Sequence, residues 1–216
     1  MSYTRNALIL LLAAAALDAA SVRFEMLRDK SIIAVRTGKA GVLSAFGAGH
    51  AHGITATDFA ARLCADPQTL AGGSVSVRVP ARALRIDSAA ARRAAGLTAS
   101  GPDAADVPVI QQKMLSPANL AADEHPVILF ESTSVQRTSD TLVVRGPLTI
   151  RGRSNSVSIP LRIERAGNGY RFAGKFPLRL TEYGIKPESV GGVVKVANEV
   201  TVIVELLAVP TQESCK

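Results

Sequence analysis

The chain has 216 residues, room for one substantial domain or two small ones, and its 25 Lys+Arg against 18 Asp+Glu give a formal net charge of +7. Hydrophobic residues make up 47% but aromatics only 4%, with no Trp, so the apolar content is mainly Ala, Val, Leu and Ile, and the Val clusters favour strands. The basic residues are scattered singly and no nucleic-acid motif accompanies them, which argues against DNA or RNA as a partner.

Residues 1–20 read as a secretory signal: Arg5 gives the positive start, Ala7 to Leu17 the apolar run, and Ala14-Ala15-Ala16 and Ala19-Ala20 offer small-residue cleavage sites. The run is shorter than the roughly 20 apolar residues a membrane-spanning helix needs. An uncleaved N-terminal helix is the alternative, with Asp18 close to the preferred site. On the first reading the mature protein begins between Leu17 and Val22 and is periplasmic, not an integral membrane protein. Cys64 and Cys215 are the only cysteines; they either pair in an oxidising compartment or remain one buried and one exposed thiol.

Further along, Val75, Val77 and Val79 lie opposite Ser76 and Arg78, the alternation of a half-buried strand. From Ser88 to Asp123 the chain is Ala-rich and polar without alternation. A helix is expected near Ala104 to Leu115, capped by Asp103, in an excursion long enough to act as a lid. Alternation then returns: Leu142, Val144, Leu148 and Ile150; Val157, Ile159, Leu161 and Ile163; Tyr170, Phe172, Phe176 and Leu178; Val194 to Leu206. A period of two puts each set on one face of a sheet. Short turns at Arg151–Asn155 and Ala166–Gly169 join antiparallel neighbours, so the pattern predicts a barrel or sandwich and excludes a parallel α/β sheet.

Pro126-Val127-Ile128-Leu129-Phe130-Glu131-Ser132, followed by Val143 to Gly152 with its Gly146-Pro147-Leu148-Thr149-Ile150-Arg151-Gly152, resembles the YceI-like family. The stretch Phe176 to Pro187, containing Leu180-Thr181-Glu182-Tyr183-Gly184-Ile185, is similar to the family's loop before its last hairpin, and Glu199-Val200-Thr201-Val202 to its closing strand. Asp29 to Ile32, Gly41 to Gly47 and the turn Gly49-His50-Ala51-His52 resemble an opening hairpin found in one subgroup. Two departures stand out: Ala48-Gly49 lengthens the turn before His50, and Asn198 takes a place where Asp is usual. The resemblance runs from about residue 21 to 209, leaving 210–216 as a C-terminal tail. It implies an all-β fold, an eight-stranded antiparallel lipocalin-like barrel with a helical insertion, and a long polyisoprenoid lipid, an isoprenoid quinone or prenyl diphosphate, as ligand.

An eight-stranded barrel is just wide enough to be filled by side chains or to hold one slender ligand. Mostly aliphatic inward faces leave room for an apolar chain. The expected lining is Phe46, Phe59, Phe130, Tyr170, Phe172, Phe176 and Ile185, with His50 and His52 at the mouth. A packed core is the alternative. His50 and His52 also invite a metal-dependent enzyme, but a metal needs three or four ligands and the remaining His125 and the nearest acid, Asp58, give no motif. No nucleophile elbow, P-loop, C-x-x-C or H-E-x-x-H occurs, so neither a catalytic residue nor a cofactor is expected. An outer-membrane barrel would need apolar outward faces and aromatic girdles, against the charges on the outward parity here. Oligomeric state is left open, a homodimer included.

Overall fold

The computed structural model describes residues 21–40, 49–70, 72–97, 101–187, 189–190 and 194–215. In chain order the elements are β1 (Val22–Met26), β2 (Ile32–Ala40), β3 (Gly53–Ala56), β4 (Ala60–Ala65), β5 (Ser74–Pro80), β6 (Leu84–Ile86), α1 (Ala89–Ala94) and α2 (Val107–Leu115). There follow β7 (Val127–Glu131), β8 (Ser134–Thr138), β9 (Thr141–Ile150), β10 (Arg153–Ala166), β11 (Gly169–Arg179), β12 (Ser189–Val190) and β13 (Val194–Ser214). The strands β1-β4-β5-β7-β9-β10-β11-β13 pair in that order and β1 returns to β13, closing the eight-stranded antiparallel barrel. A branch, β2-β3-β6, leaves the other stretch of the same β13 edge.

The branch arises because β1 and β2 lie end to end on β13. β1 pairs with Ala208–Ser214 and β2 with Lys195–Glu205. Between them the chain makes a one-turn helix, Arg28–Lys30, and the ladder is carried over by the Leu27 N–H on the Leu207 carbonyl (2.8 Å) and the Leu207 N–H on Ser31 Oγ (3.0 Å). On either side of this break the partners change, β1 running on to β4 and β2 to β3 and β6. The turn Ala81–Ala83 breaks β5 from β6 in the same way. The barrel therefore has two storeys, a lower one closed by β1 and β4 and an upper one in which β2, β3 and β6 branch from β13.

Side-chain alternation follows the sequence pattern. Leu142 and Val144 on β9, Leu161 and Ile163 on β10, Phe172, Phe176 and Leu178 on β11, and Val200, Val202 and Leu206 on β13 are buried. Their neighbours Arg145, Arg162, Arg171, Arg179 and Glu199 are exposed. Burying each large aliphatic or aromatic side chain contributes about 1.5–3 kcal/mol before ordering costs, so this parity is what fixes the register. At Gly174 a Cβ would run into the Pro160 carbonyl and the Leu161 side chain, so only glycine lets β11 lie this close to β10.

Three expectations need revision. The helix starts at Val107, not Ala104: Pro108 fits its first turn, where no N–H is required, and Asp103 supplies a carbonyl to the Asp106 N–H (2.9 Å) instead of capping with its side chain. A second helix, α1, was not expected; Ser88 Oγ caps it by accepting the Ala91 N–H at 3.1 Å. The tail expected from 210 is strand as far as Ser214, held by pairing to β1 and by Thr211 Oγ1 donating to the Arg23 carbonyl at 2.9 Å. Just past it, Cys215 forms a disulfide with Cys64, Cα–Cα 5.9 Å, which settles the alternative left open by the sequence. The bridge joins β4 to the end of β13 around the start of β1, the strand that closes the barrel.

Candidate functional site

The upper storey encloses a cavity of about 660 Å³, walled by Val35 on β2, Ile54 on β3, Leu84 and Ile86 on β6, Ile128 on β7 and Ile150 on β9, among others. Leu178 and Val200 line it side by side; two residues further along the same strands Phe176 sits opposite Val202, and neither of these lines it. Helix α2 covers one side. Asp106 just before it and Ile110, Lys113 and Met114 within it recur at i, i+4, i+7 and i+8, the spacing of a single helical face, and all line the cavity. Gly101, Pro102, Asp103, Asn119 and Leu120 extend this cover, so the excursion does overlie one barrel end.

The helix is fastened by an amide. β6 has β3 on one edge; on its other edge Gln111 accepts the Ile86 N–H (3.0 Å) and donates to the Leu84 carbonyl (2.9 Å), standing in for a neighbouring strand. Across the cavity, Leu180–Tyr183 forms a one-turn helix ending at Gly184 (φ 71°). Asn198 holds that turn, accepting the Thr181 N–H and donating to Thr181 Oγ1, both at 3.0 Å, so the Asn in place of Asp makes both bonds as an amide. Tyr183 lines the cavity with its hydroxyl buried and without a partner among the described residues, and burial, with Glu182 nearby, pushes its pKa up to about 12.

Beneath the mouth lies a buried ion cluster. Asp87, its side chain 1% exposed, stands at φ 51° between β6 and α1, a left-handed position that Asp tolerates better than most residues. Its carboxylate meets His52 Nδ1 at 2.5 Å, Arg92 at 3.1 Å and the Gly53 N–H at 3.1 Å. Burial pushes the Asp87 pKa up, but His52, the Gly53 amide and Arg92 together outweigh it and hold the carboxyl below its usual 3.8. Thr37 completes the arrangement by exchanging bonds of 2.9 Å with the His52 backbone.

Of the residues expected to line the tunnel, the structure brings His50, His52 and Ile185 to the cavity. Phe130, Tyr170, Phe172 and Phe176 are buried in the core and fill the barrel below it, with Tyr170 anchored by its hydroxyl to the Pro67 carbonyl at 2.8 Å. Phe59 is also buried and borders a separate outer recess beside Arg23 and Arg28. Phe46, like the expected signal at 1–20, lies outside the described residues. His52 is engaged by Asp87, and His125 sits beside Gly152 at the β9–β10 turn. Among the described residues no group of three His, Cys, Asp or Glu is placed to hold a metal ion. Arg92 is committed to Asp87, and Arg151 donates to the carbonyls of Gly184 and Pro117.

Sequence reasoning missed Asp87, Gln111 and the lining face of α2. The last was signalled by Ile110 and Met114 four apart after Pro108; the other two act through partners distant in sequence.

The YceI-like domain model matches residues 18–208. The chain belongs to the YceI-like family. A UPF0312 protein of Pseudomonas paraeruginosa is 36% identical over 73 residues, 31% of this YceI-like chain and 38% of the relative, so the match spans well under half of that protein's length. Among solved structures, BcnA of Burkholderia cenocepacia superposes with a TM-score of 0.63 at 16% identity, over 85% of this chain and 99% of BcnA. A YCEI protein of Campylobacter jejuni gives 0.56 at 12% identity, over 74% of this chain and 85% of that one. At such identities the likeness is one of fold. Among the described residues of this YceI-like protein no helix is long and apolar enough to cross a membrane.

Proposed function

We propose that the protein is an exported binding or carrier protein for a long apolar lipid of the polyisoprenoid class, held in the upper storey of the barrel. The observation that carries the reading is the cavity of about 660 Å³ with aliphatic walls, within the roughly 300–1,000 Å³ range of small-molecule sites. An aliphatic wall recognises a chain through the area it removes from water, roughly 0.8 kcal/mol per methylene-sized group. The Cys64–Cys215 bridge supports an oxidising compartment, in keeping with the signal-like residues 1–20 and a periplasmic location. Family membership and the barrel support a binding role over catalysis.

The test is mass spectrometry of organic extracts from natively purified protein, together with Ile128→Trp, which fills the cavity from an inward position on β7. Oversized side chains cost about 1–3 kcal/mol in a packed core and far less where space exists. The wild type is expected to carry lipid, and the variant to fold with unchanged stability while losing it. A wild type that carries no apolar ligand and is stabilised by none would refute the reading.

A further inference from the structure

We propose that the cavity is a blind pocket for about 25 chain carbons, roughly five isoprene units, and that it selects lipids whose head carries no net charge. This rests on the lipid-carrier reading above and sharpens it.

The floor is closed. Phe176 and Val202 follow Leu178 and Val200 along β11 and β13; beyond the Gly174–Val204 pair, Phe172 and Tyr170 pack with ring centroids 6.2 Å apart, and Phe24 lies 6.2 Å from Tyr170. Phe24, Tyr170 and Phe172 are 1%, 2% and 3% exposed, and none of them lines the cavity. Tyr170 is pinned by its bond to the Pro67 carbonyl and flanked by the Arg165 guanidinium 4.7 Å from its ring centre. A chain entering from the α2 side therefore stops at Phe176 instead of threading the barrel.

Volume then sets the length. An apolar protein cavity of about 150 Å³ accepts one benzene, about 25 Å³ per carbon. On that scale the 660 Å³ of this cavity accommodates about 26 carbons. The mouth shares part of the space with solvent, so the figure is a ceiling. A longer lipid leaves the remainder of its chain, or its head, outside.

The rim sets the head. Among the described residues Lys39 and Lys113 line the cavity together with Asp103 and Asp106, so their formal charges cancel, and no arginine lines it. His52, the inner imidazole, is already bound to Asp87. A diphosphate would meet two carboxylates beside the two ammonium groups, so no net positive charge, and no guanidinium fork, the group that matches phosphate geometry best. An alcohol, phenol or quinone head needs no such charge to offset the loss of its hydration.

The experiment is competition native mass spectrometry on delipidated full-length protein with prenols of two, four, six and eight isoprene units, and with the four-unit prenyl diphosphate. Each newly buried methylene-sized group raises affinity roughly fourfold, so four units should exceed two by at least a hundredfold. Six and eight units should lie within about threefold of each other, and the diphosphate should bind no tighter than its alcohol. An eight-unit prenol binding more than tenfold tighter than the six-unit one would overturn the blind pocket. A diphosphate binding more than tenfold tighter than the alcohol would overturn the uncharged head. If no prenol of any length binds, the carrier reading falls, and this inference with it.

Discussion

Removing the disulfide tests the architecture most directly, because Cys64–Cys215 closes a loop with a sequence separation of 151. In the chain-entropy treatment, a loop of that length restricts the unfolded chain by about 17 cal/mol/K, or about 5 kcal/mol at 25 °C. Strain and residual unfolded-state structure usually lower such figures, so a loss of about 3–5 kcal/mol is expected for Cys64→Ser with Cys215→Ser, the double change avoiding a stray thiol. For a chain of this size that corresponds to a fall in Tm of roughly 6–20 °C. The bridge clamps β1 between β4 and β13, so hydrogen exchange should accelerate most at Phe24 and Met26, in the strand that closes the lower storey. Urea unfolding of wild type, wild type under reducing conditions, and the double variant measures the loss. A change below about 1 kcal/mol, with β1 exchange unaltered, would show that the bridge ties down a strand end that contributes nothing to closure.

Two further perturbations probe the upper storey. Asp87→Ala should cost about 3 kcal/mol, since it takes the carboxylate away from the largely buried Arg92 guanidinium and leaves that charge uncompensated beside the Ala51 carbonyl. Because the folded carboxyl sits below its usual 3.8, its contribution is present above about pH 4 and lost as pH falls through the lowered value; Asp87→Asn should therefore show a flatter loss of stability from pH 5 to pH 3, and an unchanged acid limb would count against it. Gln111→Ala should leave the Leu84 carbonyl and Ile86 N–H without partners, at about 1–3 kcal/mol, and speed exchange at Ile86 while the β13 amides of the lower storey stay slow.

How much was legible follows from the length of each pattern. β9, β10, β11 and β13 run 10 to 21 residues, so their alternation was long enough to read, and inward Leu161 and outward Arg162 stand as expected. β3 and β6, of 4 and 3 residues, are too short to show a period, and with them the branch stayed hidden. Parity tells inside from outside but carries no height along the barrel axis. Phe172 and Leu178 share one inward face of β11, yet one plugs the lower storey and the other floors the cavity. The aromatic residues were expected to line a tunnel for that reason. His52, expected at the mouth, does line the cavity, but its bond to Asp87 could not be read: Asp87 lies 35 residues away and is brought to it by the β3–β6 pairing.

The same branch explains why a barrel of eight strands has a cavity at all. The lower storey is filled by the large rings of Phe24, Tyr170 and Phe172, whereas the walls above carry mainly Val, Leu and Ile. Above the breaks at Arg28–Lys30 and Ala81–Ala83, the wall passes to β2, β3 and β6, and the sheet order ends at β6 with an open edge. An open edge exposes unpaired backbone, and Gln111 answers that on β6 with one side chain instead of another strand. A side-chain amide on a helix can let go and re-form more readily than a ladder can. The lower storey, with its aromatic packing and its disulfide, contributes the stability that offsets the unfilled space above. Local opening should therefore be confined to α2 and the branch, so that a ligand enters without unfolding the barrel.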